Sequence, residues 1–323
     1  MNAKMENRVF LKNLIAPQRF CWIFLLVYIS VSGSGVWAGD WKVGETKDER
    51  VGFSQRSKCR HSSCPLGMFS LPDLSGLAWM EGNRFLAVHD AKYPDERMEA
   101  RVSLIYLPSD THPLLCKPQP LNFLGPKSND LESVARIPGT MDVLIVESGD
   151  GLEDPAFQRI WKVRVEGDRV RMLASMQWPV EVYNVEATAV ATFEGRFVFL
   201  FAERAQGLSK TSLRWAIFDP GILSFGPFKS VDVPNPDPEV FNRPLVAMDV
   251  DKSGFIYIAA AFDAEAAGLP DPDNGPFASG VYCIGQLTED VDAGGPKVLL
   301  FDPPRLEGTL DGKIGRASCR ERV

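Results

Sequence analysis

Four glutamates sit where a carboxylate is costly to keep. Glu132 lies in LESVAR (131–136) and Glu186 in VEATAV (185–190), each just after an aliphatic residue of a run that otherwise suits burial. Glu147 and Glu203 close two further apolar runs, DVLIVE (142–147) and RFVFLFAE (196–203). An unpaired carboxylate buried in apolar surroundings costs several kcal/mol, so these acids must reach water, a base or a cation. Carboxylates that converge raise one another's pKa unless a positive charge sits among them. An oxygen-only donor set suits Ca²⁺, which takes about 6–8 such ligands. The expected chemistry is therefore one or more Ca²⁺ ions held by Glu132, Glu147, Glu186 and Glu203, open to substrate on one side. Glu147 and Glu203 are then candidate catalytic acids. His89, which adjoins Asp90 at the end of RFLAVHD (84–90), is a candidate general base. Arg204 and Lys92 fall in connections that could hold an anionic substrate. The alternative is that the acids pair with Arg136, Arg159 or Arg204, or line a solvated channel.

What must position these residues is a repeat. LSGLAW (74–79), LESVAR (131–136), VEATAV (185–190) and LVAMDV (245–250) share an aliphatic first residue and alternating apolar positions, and recur every 54 to 60 residues. A turn and a second apolar run follow each, at 84–90, 142–150, 196–204 and 255–263. The turns hold Gly82-Asn83, Gly139, Gly195 and Ser253-Gly254, as tight hairpins require. Third runs follow at 102–107, 159–165, 213–218 and 280–285, with less regular fourth ones such as 171–178 and 297–301. Four antiparallel strands per unit at this spacing predict an all-β fold, a β-propeller of four-stranded blades. The first strand of each blade lies nearest the axis, so Glu132 and Glu186 are expected to project into a wet channel. Asp73, Asp130 and Asp249 are expected at matching ends of the inner strands, and Asp90 and Asp263 at one mouth.

Other chemistry finds no support. There is no G-x-S-x-G elbow, H-E-x-x-H pair or Walker loop. DVDKSG (249–254) opens like an EF-hand loop, but Ala260 stands where the bidentate glutamate belongs, so it reads as a hairpin turn. An esterase built on this chain would have to use metal-bound water.

The blade-start pattern of aliphatic, Glu, small, aliphatic, Ala resembles the exported "esterase-like activity of phytase" propellers and the related phytase-like, SdiA-regulated-like propellers. The matching stretches are LSGLA (74–78), LESVA (131–135), VESGDG (146–151), VEATA (185–189) and FAERA (201–205), within roughly residues 70–313. The resemblance implies a propeller, Ca²⁺, and hydrolysis of a small-molecule phosphoester or other ester. The chain departs from the pattern in two respects. Ser133 and Ala187 stand where the family usually has Gly after the glutamate, and Val246 replaces the acid in the fourth unit. The competing expectation is a non-catalytic propeller that binds a ligand or a protein partner at the cell envelope.

The remaining segments set location. Basic residues precede the apolar run FCWIFLLVYISVS (20–32), and Val36 and Ala38 fit cleavage before Gly39, so residues 1–38 read as a signal peptide. The mature protein is expected to be periplasmic or secreted, with no membrane attachment after cleavage. Residues 39–70 form a Cys-containing segment, and 71–313 an incomplete propeller whose C-terminal part lies beyond this sequence, making it a fragment. Residues 314–323, IGRASCRERV, resemble a translated sequencing adapter and read as a non-native tail. Cys59, Cys64, Cys116 and Cys283 remain as disulfide candidates in an oxidising compartment. With 35 basic against 42 acidic residues and no basic stripe, nucleic acid is not expected as a partner.

Overall fold

The apolar runs pair as hairpins because the residues between them turn the chain tightly. Between β9 (Val185–Phe193) and β10 (Arg196–Glu203), Glu194 and Gly195 take φ of 48° and 73°. Two consecutive positive φ values give the two-residue turn whose twist matches that of paired strands.

The computed structural model describes residues 74–90, 100–107, 115–119, 130–149, 158–204, 210–262, 278–292 and 294–310. The segments read as signal peptide, Cys-containing segment and non-native tail lie outside these, as do Asp73, Lys92 and Asp263.

Four antiparallel sheets form the blades of a β-propeller. The first holds β1 (Leu74–Glu81), β2 (Arg84–His89), β3 (Val102–Tyr106) and β4 (Leu115–Gln119). The second holds β5 (Leu131–Arg136), β6 (Asp142–Glu147), β7 (Arg159–Glu166) and β8 (Arg169–Gln177). The third holds β9, β10 and β11 (Lys210–Asp219), whose outer edge pairs with both β12 (Ser224–Phe225) and β13 (Lys229–Pro234). The fourth holds β14 (Arg243–Val250), β15 (Phe255–Ala261), β16 (Ser279–Glu289) and β17 (Pro296–Leu310). The strand order is the chain order in the first, second and fourth sheets and through β9, β10 and β11 of the third, and the repeat of 54 to 60 residues coincides with the blades.

Each blade packs on the next through the apolar faces of its strands. Leu86, Val88 and Leu104 meet Val134, Ile145 and Trp161 between the first and second blades. Between the second and third, Leu144, Ile160 and Trp178 pack with Phe199 and Phe201, whose ring centroids lie 5.0 Å (Phe201) and 6.0 Å (Phe199) from that of Trp178. Leu200, Ala202 and Trp215 meet Ile256, Ile258 and Tyr282 between the third and fourth. Full burial of side chains such as Phe199 and Phe201 is worth roughly 1.5–3 kcal/mol each. Inner strands β1, β5, β9 and β14 thus lie side by side in chain order. Among the described residues no comparable packing brings β14 back against β1.

Polar ties fix the blade spacing. Arg136 at the end of β5 reaches across to β1, donating to the carbonyls of Trp79 and Met80, with its guanidinium carbon 5.5 Å from the Trp79 ring centre. Ser133 Oγ lies 2.9 Å from Thr188 Oγ1 and accepts the Thr188 N–H, joining β5 to β9.

The expected disulfides are not found among the described residues. Cys116 in β4 and Cys283 in β16 are buried in different blades and are not joined to one another. Burial pushes the Cys283 thiol pKa up, which suits a packing role rather than a reactive one. Cys59 and Cys64 lie outside the described residues.

Candidate functional site

The first turn of each inner strand carries a register shift against its neighbour. In β5, Leu131 pairs with Glu147 and Ser133 with Val146, so Glu132 is the extra residue of a β-bulge. In β9, Val185 pairs with Glu203 and Ala187 with Ala202, which leaves Glu186 extra. In β1, Leu74 pairs with His89 and Gly76 with Val88, leaving Ser75. The ladder of β14 is also broken between Arg243 and Ala247, around Val246. A bulge takes one side chain out of the ladder and re-aims it, and such sites cluster near functional centres. The glutamates inside the apolar runs are therefore bulge residues. Strand alternation alone placed them in a wet channel, and this is corrected: Glu132 and Glu186 are only 5% and 8% exposed.

The two bulges meet different surroundings. In the third blade, Nε of Arg204 lies 2.5 Å from Oε1 of Glu186, an ion pair with the carboxylate buried and the arginine half-buried. At the junction of the first and second blades, Asp90, Asp130 and Glu132 each bring a carboxylate oxygen within 4.8 Å of the others. Asp90 follows the end of β2 and Asp130 immediately precedes β5, so packing of two blades assembles the group. Asp130 is the half-buried member; the other two are buried. Ser148 holds it in place, its Oγ donating to Oδ2 at 2.6 Å and its N–H to the Asp130 carbonyl at 2.9 Å.

The four expected ligands do not come together. Among the described residues the only such carboxylate group is that of Asp90, Asp130 and Glu132, so of the expected set Glu132 alone belongs to it. Glu147 is fully buried, accepts the Asp130 N–H at 3.1 Å, and receives Trp178 Nε1 on its carbonyl at 3.0 Å. Its place is behind Asp130 rather than beside it. Glu203 accepts the Tyr183 N–H at 2.9 Å and lies 3.3 Å from Nη2 of Arg214. Glu186 and Glu203 are thus neutralised by arginines, which removes the repulsion that would call for a cation. Asp249 lies near the end of β14, opposite Tyr257, so it belongs to the other mouth from Asp130.

The remaining expected residues are placed as follows. His89 is buried, with Nε2 2.8 Å from Ser103 Oγ and its carbonyl receiving Arg101 Nε at 2.8 Å. It is held as a structural histidine would be, yet it directly precedes Asp90. Arg204 is committed to Glu186. Lys92 lies outside the described residues.

Sequence reasoning set Asp90 and Asp130 apart from the main candidates because cross-blade packing is what brings them to Glu132. The available signal was an Asp on each side of the same junction, at the end of AVHD and the start of DLES. It missed Tyr183 and Arg214 altogether. Together with Glu181, Val182 and Glu203 these line an open depression of about 340 Å³ at the same end of the propeller.

No protein-family profile and no curated protein matches the chain. Among solved structures it is similar to an α-L-arabinofuranosidase from Clostridium thermocellum, at 14% identity, over 72% of this chain and 74% of that one, with a TM-score of 0.39. A β-1,3-galactosidase solved with galactodeoxynojirimycin matches at 10% identity, over 70% and 93% of the two chains, with a TM-score of 0.35. An exo-1,5-α-L-arabinanase from a bovine ruminal metagenomic library matches at 12% identity, over 72% and 99%, with a TM-score of 0.29.

Proposed function

We propose that this propeller is an exported, Ca²⁺-dependent hydrolase of small-molecule esters, phosphoesters included. The observation that carries the reading is the convergence of Asp90, Asp130 and Glu132 at the junction of the first two blades. The donors fit the ion: three hard carboxylate oxygens from two blades, with no soft ligand among them. Bound there, Ca²⁺ would supply positive charge that acidifies a coordinated water and stabilises charge developing on an ester oxygen.

The chain's own residues would do the rest. Ser148 orients the Asp130 carboxylate, and Glu147 fixes the Asp130 backbone from behind. Asp130, the half-buried member, marks the side open to water and substrate. Asp90 and Glu132 are buried, each with a carboxylate oxygen within 4.8 Å of the others of the group. Export rests on the reading of residues 1–38 as a signal peptide.

A non-catalytic envelope propeller is the second reading. It is favoured by the arginines on Glu186 and Glu203, which leave fewer acids for catalysis. The two readings part on one experiment. The full chain is titrated with Ca²⁺ while its melting temperature is followed, then assayed on p-nitrophenyl acetate, p-nitrophenyl phosphate and phytate with and without chelator. At a Ca²⁺ concentration a hundredfold above Kd, binding adds about 2.7 kcal/mol of stability, or several degrees for a chain of this size. Asp130→Asn should abolish the calcium-dependent shift and the turnover together. A shift without turnover leaves the binding reading. A melting temperature indifferent to both calcium and chelator sinks the metal.

A further inference from the structure

We infer that Asp168 is a positioning residue for the calcium site, clasping the blade that carries Asp90 at a fixed angle to the blade that carries Asp130 and Glu132. The inference rests on the reading of those three acids as a calcium site. Asp90 belongs to the first blade and the other two to the second, so the spacing of the donors is set by how the two blades are held. Their charges repel one another and work to spread the junction at that end. Apolar packing between the sheets is non-directional, so it does not fix the angle by itself. Directional bonds do.

Such bonds lie at the other end of the same junction. In the first blade, Asp90 follows His89, which pairs with Leu74, whereas Arg84 pairs with Glu81 on one side and Tyr106 on the other. In the second blade, Asp130 precedes the Leu131–Glu147 pair, and β7 runs away from it to the turn at Gly167 and Asp168. Every strand of the first blade except the innermost reaches that turn. From β2, Arg84 Nη1 donates to the Gly167 carbonyl at 2.6 Å. From β3, Tyr106 donates its hydroxyl to Asp168 Oδ1. From β4, Lys117 Nζ lies 2.6 Å from Asp168 Oδ2 and 5.1 Å from the centre of the Tyr106 ring. Gln119 donates through Nε2 to the Asp168 carbonyl and accepts the Val170 N–H on Oε1, both at 3.2 Å.

The clasp holds its protons at neutral pH. Burial, and then the Asp168 carboxylate beside it, push the Tyr106 hydroxyl up to about 12. Lys117, and then Tyr106, hold the Asp168 carboxyl below the usual carboxylate range. The Asp168 side chain is 59% exposed and that of Lys117 33%, so the pair adds little to global stability. What it fixes is direction. A carboxylate gripped by a hydroxyl and an ammonium from two strands of one blade sets the rotation of the other.

The test is calcium titration of the full chain by calorimetry, with the melting temperature followed in chelator. Asp168→Ala should raise the calcium Kd at least about fivefold, the lower end of ordinary coupling between sites, while its melting temperature in chelator stays close to that of the parent. Tyr106→Phe and Lys117→Met leave the turn untouched and should shift Kd in the same direction; they decide the matter if Asp168→Ala does not fold. Lys229→Met removes a 2.9 Å ion pair with Asp290 between the third and fourth blades, and should leave Kd unchanged. The inference alone is overturned if the parent binds calcium and Asp168→Ala binds it as tightly, if neither Tyr106→Phe nor Lys117→Met weakens binding, or if Lys229→Met weakens it as much. A parent that binds no calcium overturns the reading of the acid group, and the role of Asp168 falls with it.

Discussion

Glu132 and Glu186 occupy the same β-bulge one blade apart, and different neighbours stand beside them. Glu132 sits with two aspartates, whereas Glu186 lies 2.5 Å from an arginine. A repeat unit therefore supplies the position and its neighbours decide the chemistry. The bulge is what makes either acid tolerable in an inner strand, since it releases one side chain from the ladder without flipping the rest of the strand to the wrong face.

The Glu186–Arg204 pair predicts an asymmetry between its two halves. Side-chain exposure is 7% for the carboxylate and 32% for the arginine. Arg204→Met leaves a buried charge with little access to water, while Glu186→Gln leaves a guanidinium that can still be solvated. Removing one partner of a buried pair costs about 3–5 kcal/mol, so Arg204→Met should fall near that range and Glu186→Gln below it, at about 1–2 kcal/mol. The double substitution to Leu at both positions should recover much of the loss, because it removes the desolvation cost as well as the attraction. Urea unfolding of the three variants gives the ordering. Equal, negligible losses for both singles would mean that the contact adds nothing to stability.

Gly76 predicts a packing limit between the first two blades. A Cβ at this position would meet Val88 Cγ2 at 2.9 Å, Val134 Cγ1 at 3.0 Å and the Ser133 Cα at 3.1 Å. The first two can shift a little, but the backbone of β5 cannot move without disturbing Glu132 next to it. Gly76→Ala should cost about 1–3 kcal/mol through overpacking, and should weaken any calcium-dependent stabilisation more than a distant substitution of equal cost. Calcium-dependent and calcium-free melting of Gly76→Ala, set beside those of Gly254→Ala in the fourth blade, makes the comparison. Gly76→Ala with parental stability would show that β1 and β5 are less tightly apposed than these distances imply.

The fold was legible in the sequence because it depends on features local to each unit. Alternation, turn glycines and the recurrence of LSGLAW, LESVAR, VEATAV and LVAMDV mark the inner strands, and the second and third strands follow within one hairpin of them. The site was legible only in part, because it depends on relations between units. Nothing in the order of residues says that the ladder shifts at Glu132, or that Asp90 of the preceding blade comes within reach of it. Arg204 was weighed both as a partner for these acids and as a substrate ligand, and the bulge geometry brings it to Glu186. The split outer edge of the third blade, shared by Ser224–Phe225 and Lys229–Pro234, was equally hidden, since Gly221 and Gly226 punctuate a stretch with no clear alternation.

Asp249 predicts a pH dependence with a definite sign. Desolvation at its half-buried place pushes its carboxyl up to about 6, and the nearby Asp251 adds to this, while the Val250 N–H, donated to Oδ1 at 2.8 Å, works in the opposite direction. The unfolded chain ionises this group near pH 3.9. Between about 4 and 6 the folded state therefore holds a proton that the unfolded state has released. Stability from this residue is fully present below pH 4 and is lost as pH rises through 6. Asp249→Asn keeps the shape and the acceptor for the Val250 N–H but cannot ionise. The variant should match the parent near pH 4 and become the more stable of the two above pH 6, with the gap opening across that window. Urea midpoints measured at intervals from pH 4 to 8 decide it. Parallel curves for parent and variant would mean that Asp249 ionises alike in both states, and a gap opening toward acid would reverse the sign of the argument.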